Sequence, residues 1–178
     1  MVCIANSTII SDLKKAVIKE IINDEALFYA IDSPSVKDVE CADELVYKNI
    51  FPYHQNPETL TEVQTFLTIQ VHIPGIYSRN EIWIQPTLEI WIISHQSHMK
   101  VDNIPKITDN RNDYISKLLD NKFNGRNTLG GSNNDKYNLH LYGELQLTSN
   151  VEGAFSKEYI YRRLIFETKD INNSLCDR

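Results

Sequence analysis

Three sets of side chains have types and spacings that could do chemistry. Glu167-Thr168-Lys169 follows the apolar run Leu164-Ile165-Phe166. An acid-x-lysine tripeptide at the end of a strand suits metal-dependent hydrolysis of a phosphodiester. Two carboxylates hold the ion and the lysine assists the attacking water. Glu144 is the obvious second carboxylate, on a neighbouring strand. The same tripeptide is also common on solvated edge strands. His95 and His98, with Asp102 nearby, are the nearest approach to a metal cluster. Two histidines three apart at a strand end face opposite ways, and no third ligand is well placed, so a polar loop entry is expected and no metal site. Asp109 and Asp113, four apart on a helix that also carries Asp120, could form an acid–base pair. Acids in a first turn more often complement the positive end of the helix dipole. No Ser-His-Asp order or nucleophile elbow occurs, and Gly130-Gly131 lacks the Lys-Ser/Thr of a phosphate loop. Catalytic residues and cofactors are accordingly expected to be none.

The composition narrows the class. The chain has 178 residues, 42% hydrophobic and 24% charged, with 24 acids against 18 bases and a net charge of −6. It fits one domain over residues 1–178, with a core that needs no staples. The acidic balance argues against sequence-independent binding of nucleic acid over a broad surface. No apolar run approaches the roughly 20 residues of a membrane span, and the first residues lack a secretory-signal pattern. Cys3, Cys41 and Cys176 are odd in number and unpatterned, which suggests reduced thiols in an intracellular setting.

The elements that position these residues follow from periodicity. Ile10, Leu13, Val17 and Ile21 recur at helical spacing behind Ser7 or Thr8 as cap, and Glu25 to Ala30 reads as a short second helix. Residues 34–60 form an irregular connection, with a possible short helix over Ala42 to Ile50. The period then changes to two. Glu62 to Ile73 reads as a strand with one wet face, Phe66 excepted. Glu81 to His95 is a second strand, with Pro86 demanding an edge or a bulge. Asp109 to Phe123 is a helix capped by Thr108 or Asp109 and closed by Gly125. Strands follow at Tyr137 to Thr148, where Gly143 marks a bulge or close approach, and at Glu158 to Lys169. Glu152-Gly153 lies in the connection between them, and 170–178 is a flexible tail.

The expected fold class is α+β: an antiparallel four-stranded sheet with two main helices packed on one face, in the order α-β-β-α-β-β. The other face would carry Phe66, Trp83, Trp91 and Tyr142, too aromatic for a solvated surface and suited to partner burial. Arg162 and Arg163 are adjacent and so face opposite ways; one would sit at the sheet–helix interface against an acid. Arg111 would make a structural ion pair or one between subunits.

Asn110-Arg111-Asn112-Asp113-Tyr114-Ile115, Asn124-Gly125, Gly143-Glu144-Leu145-Gln146-Leu147 and Tyr161-Arg162-Arg163-Leu164-Ile165-Phe166, in that order, resemble the small neck proteins of tailed bacteriophages. The nearest group is the tail terminator (tail completion) family, with head–tail connectors beside it. The likeness runs from Thr61 to Thr168 and includes the first helix; residues 34–60 have no counterpart. It implies a non-enzymatic virion protein, assembled in the host cytoplasm, that forms a homo-oligomeric ring, commonly a hexamer, at the phage neck. Its partners would be the tail tube protein and the head connector or stopper protein, with DNA passing through the channel unbound and no membrane contact. The loop Asn127 to Lys136 and the hairpin tip Pro74 to Asn80 would dock, and an acidic wall would not trap a passing polyanion. Phe66, Trp83, Trp91 and Tyr142 would make the contacts, with Arg111, Arg162 and Arg163 as fasteners. The alternatives are a head–tail adaptor, a small metal-dependent nuclease using Glu144, Glu167 and Lys169, and a monomeric binding module.

Overall fold

The computed structural model describes residues 6–59, 62–74, 82–130 and 138–172. Three α-helices occur among them: α1 (Ser7–Ile22), α2 (Glu25–Ile31) and α3 (Arg111–Phe123). The strands are β1 (Ile50–Phe51), β2 (Thr65–His72), β3 (Trp83–Ile84), β4 (Thr87–His95), β5 (Thr128–Leu129), β6 (Leu139–His140), β7 (Gln146–Ala154), β8 (Tyr159–Glu167) and β9 (Asp170–Ile171).

Each helix begins and ends for a local reason. α1 buries Ile9, Leu13, Ala16, Val17 and Ile21. Ile10, expected inward, is half exposed; Ile9, about 100° round the helix, takes its place. The cap position is Asn6, not Ser7 or Thr8, and its side chain donates to Asn172 Oδ1 (2.7 Å) instead of capping. Asp24 accepts from the Leu27 N–H (3.0 Å) and opens α2, which closes at Asp32 in the left-handed region. Asn110, not Thr108 or Asp109, caps α3 by accepting from the Asp113 N–H (2.9 Å). Gly125 follows α3 at φ +79°, as its place beyond the helix suggested. Lys122 reaches Asp24 (2.7 Å) and Arg126 reaches Glu20 (3.1 Å), joining the end of α3 to the other two helices.

The main sheet is five-stranded, in the order β1-β2-β4-β8-β7. Its four long strands are antiparallel, but β1 adds to the edge in parallel, Ile50 opposite Leu67. The four-stranded antiparallel expectation is corrected by that strand, which at two residues is too short to show a period. Residues 34–60 are also more ordered than expected. A 3-10 helix spans Val39–Leu45, β1 follows, and a second 3-10 turn covers Pro57–Thr59.

Proline and glycine decide where the long strands break. Pro86 ends the ladder, so β3 leaves the main sheet and pairs with β9, within what read as a flexible tail. The stretch Tyr137 to Thr148 is not one strand. β6 pairs with β5, residues 141–145 cross over with Leu141 and Leu145 fully buried, and β7 starts at Gln146. Gly143 in that crossover is a close approach: an added Cβ would lie 3.0 Å from the Lys169 backbone nitrogen. Glu152 and Gly153 sit inside β7, opposite Arg162 and Tyr161, and not in a turn. The Tyr161 ring occupies the space a side chain at Gly153 would need. Glu81, the tip 75–80, residues 131–137, the tail 173–178, Cys3 and Cys176 lie outside the described residues.

Strand alternation divides the sheet. Leu67, Ile69, Ile90, Ile92, Leu164 and Phe166 face the helices and pack with Leu13, Val17, Leu27, Ile115, Leu119 and Phe123 in one core. A smaller cluster, Phe51, Phe66, Ile93 and Tyr159, lies on the other side. The wet face expected for β2 is therefore dry over Phe66 and Thr68, both fully buried.

A buried arginine ties the helix layer together. Arg111, 2% exposed, donates from Nε to the His98 carbonyl (2.7 Å) and from NH1 to the Ala30 carbonyl (2.6 Å). NH2 donates to the Lys100 carbonyl (2.9 Å) and lies 3.4 Å from Asp32 Oδ2. The His98 ring meets the same carboxylate (3.3 Å) through Nε2 and Thr65 Oγ1 (2.9 Å) through Nδ1. The Thr65 and Ser94 hydroxyls are 2.8 Å apart, and Ser94 donates to Asn112 Oδ1 (2.6 Å). Both hydroxyls are fully buried, and the Asp-His-Thr-Ser chain fastens β2 and β4 to α3.

Two outcomes follow. Arg111→Met removes the donors of three carbonyls and should cost roughly 3 kcal/mol or more in urea unfolding; Arg111→Lys, without the planar fork, should recover less than half of it. Burial, then the Arg111 charge, holds the His98 imidazole below its ordinary 6.5 against the pull of Asp32. The unfolded ring takes a proton more readily than the folded one, so stability is full above the unfolded pKa and falls as pH drops through and below it. Unfolding measured from pH 8 to 5 should show that slope, and His98→Gln should flatten it.

Candidate interaction surface

The register sets out what the sheet shows on the side away from the helices. β2 offers Gln70 beside the buried Thr68, β4 offers Glu89 and Trp91, β8 offers Tyr161, Arg163 and Ile165, and β7 offers Ser149 and Val151. The three α-helices pack on the opposite face. Here the chain supplies only a partial cover, from Phe51 to His54 and from Phe155 after β7. Trp91 lies 4.7 Å from Tyr161, 5.4 Å from Phe155 and 5.9 Å from His54 by ring centroids. Trp91 is still half-buried, and Phe155, Tyr53 and Val151 are exposed.

One carboxylate organises this face. Glu89, with its side chain 15% exposed, accepts from the Trp91 indole N–H (2.7 Å). Its same oxygen lies 3.0 Å from Arg163 Nε, and its other oxygen 3.3 Å from His72 Nε2. The Arg163 guanidinium sits over the Trp91 ring, 5.3 Å from its centroid. The polar edge of the tryptophan is thus satisfied internally, and its ring is half-buried among Tyr161, Phe155, His54 and Arg163. At the end of this face burial, then Glu158, pushes the Tyr159 phenol up, so it stays neutral.

The expected contact residues divide. Trp91 and Arg163 are on the open face. Phe66 is fully buried and Arg111 is 2% exposed, so neither can touch a partner; both are corrected to internal roles. Arg162 turns to the helix side, where it pairs with Asp113 of α3 and with Glu152 (3.2 Å), the interface pairing anticipated for one of the two arginines. Trp83 and Tyr142 are not on the open face. They stack on each other at 4.4 Å beside β9, because the break at Pro86 removes Trp83 from the sheet and Tyr142 lies in the crossover. Tyr142 is 62% exposed. Glu89, Tyr161 and Phe155 were missed. The Glu89-x-Trp91 spacing, two residues on one strand face, was the available signal.

The other chemical candidates also have definite places. Glu144, Glu167 and Lys169 line one cleft of about 330 Å³ at the start of β7 and the end of β8. Gln85 donates to Glu167 Oε2 there (2.9 Å). His95 and His98 separate: His95 packs edge-on against Tyr159 (5.2 Å) while His98 turns inward. Asp102 pairs with Lys100 (2.6 Å), Asp109 with Lys117 (2.6 Å) and Asp113 with Arg162, so the helix acids do not form a carboxylate pair. Among the described residues no group of three or more His, Cys, Asp or Glu is placed to hold a metal ion. No helix among them is long and apolar enough to cross a membrane.

No curated protein matches the chain. The sequence model of the YomW family matches residues 18–168, from the middle of α1 to the residue after β8. The chain belongs to that family, which is phage-derived, and is accordingly a phage-related protein.

Proposed function

We propose that the chain is a structural protein of the phage neck: a tail terminator that closes into a homo-oligomeric ring, a hexamer by resemblance, on the end of the tail tube and meets the head connector. The observation that carries this reading is the half-covered sheet face, where Trp91 presents its ring and Arg163 is already oriented by Glu89. A stacked cation and an aromatic ring held in place lose little freedom on binding, which is the usual make-up of an interface hot spot. Membership of a phage-derived family supports the setting. A head–tail adaptor would use the same face and differs only in which neck layer it occupies. In either role the protein works in the virion, and DNA passes without specific contacts.

The test is complementation of a phage that lacks the gene. The wild-type chain supplied in trans should restore joined particles. The Trp91→Ala, Arg163→Ala double variant, with an unchanged circular dichroism spectrum, should reduce plaque yield by about thirtyfold or more, the effect of losing one hot spot of about 2 kcal/mol. Full complementation by that variant would overturn the assignment of this face.

A second reading has one observation in its favour: Glu144, Glu167 and Lys169 line a single cleft, as a small metal-dependent nuclease requires. Incubation of supercoiled plasmid with magnesium or manganese decides it. Nicking that disappears in Glu167→Gln would establish the nuclease; no nicking above a buffer control removes it.

A further inference from the structure

The main sheet has two borders, β1 and β7, and they differ. β1 is two residues long, and on its outer side the Tyr47 N–H donates to the Ile50 carbonyl (2.9 Å). β7 is nine residues long and, among the described residues, pairs only with β8. One residue beyond β7, the Phe155 N–H donates to the Tyr159 carbonyl (2.9 Å). Hydrogen-bonding direction alternates along an antiparallel strand. Val151 and Gly153 therefore also turn their backbone groups to β8, while Asn150, Glu152 and Ala154 turn theirs outward. These three residues are exposed, and no group among the described residues meets their outward N–H and C=O.

Sheet edges are usually guarded by lysine, proline, a bulge or short length. β7 has no lysine and no proline. Its bulge lies at its start, between Leu147 and Ser149, where Asn124 Oδ1 accepts from the Leu147 N–H (3.0 Å). Its one charge, Glu152, is turned back to Arg162 (3.2 Å), as is Asn150 (3.0 Å). We infer that β7 pairs with β7 of a second copy, antiparallel about a two-fold axis at Val151. With the β1 border closed, two copies can join their main sheets only through this strand. The side chains set the register. An axis at Glu152 would put like charges directly opposite each other. An axis at Asn150 would set Glu152 against the bulge, and one at Gly153 would put glycine on glycine. At Val151, Asn150 meets Glu152 of the other copy, and Val151, 52% exposed, lies against its counterpart in the closer, non-hydrogen-bonded kind of pair. Trp91 is opposite Arg163 and Arg163 opposite Val151, so the pairing joins the two open faces into one band. One partner fills a two-fold contact. The dimer thus goes beyond the ring reading and does not depend on it.

Charges placed at the axis test the pairing. Wild-type chain should show a concentration-dependent dimer in sedimentation velocity. Val151→Lys and Val151→Glu each set like charges face to face and should each weaken that dimer at least about tenfold, with thermal melts to show that both fold. An equimolar mixture of the two should recover wild-type association, because lysine then faces glutamate. Trp91→Ala should leave the dimer intact. A monomeric wild type, an undiminished dimer in either charge variant, or a mixture that fails to recover overturns this pairing. So does a dimer lost in Trp91→Ala, which would place the contact on the Trp91 face. The ring reading is decided apart from these outcomes, by complementation.

Discussion

The buried guanidinium of Arg111 is the constraint on which the rest of the arrangement depends. An arginine at the start of a helix is ordinarily solvated. Here it makes four donor contacts, to three carbonyls that converge from the end of α2 and the loop after β4 and to Asp32. Burial lowers its pKa, yet it has no way to neutralise at ordinary pH, so the site must keep Asp32 alongside it. Asp32 in turn stands in the left-handed region at the end of α2. The position of α3 over β4 and β8, and through it the pairing of Arg162 with Asp113, follows from that one knot.

With the helices fixed on one side, the sheet cannot hide its other side by itself. Phe51 and Phe155 reach across part of it, and Glu89 gathers Trp91, Arg163 and His72 into one rigid patch. The smaller cluster around Phe66 closes one end of this side, while the stretch between Trp91 and Val151 remains half wet. On the proposed ring reading, this oriented arginine over a half-buried tryptophan is the core of the contact.

Legibility in the sequence tracked the length of the signal. α1, α3, β2, β4 and β8 each span two or more periods, and all were readable, as was the hairpin of β2 with β4. Gly125 and Gly143 were readable because turn closure and close approach leave few other residues possible. β1, β3 and β9 are two residues each, and no period exists in two residues. The placing of Trp83 failed for a specific reason: strand parity carries across a proline on paper but not in space. Phe66 and Arg111 failed as contact residues because burial on the second face depends on Phe51 and Tyr159, and on loop carbonyls, which are distant in sequence; the structural ion pair read for Arg111 is present, to Asp32. The family match set the phage context that side-chain chemistry alone could not supply.

The strand order has a kinetic consequence. β2 with β4 and β7 with β8 are near neighbours along the chain, so each hairpin can close early. The central seam between β4 and β8 joins residues such as Ile90 and Leu164, with α3 and the β5–β6 ribbon made in between. Closing that long loop is the slow entropic step.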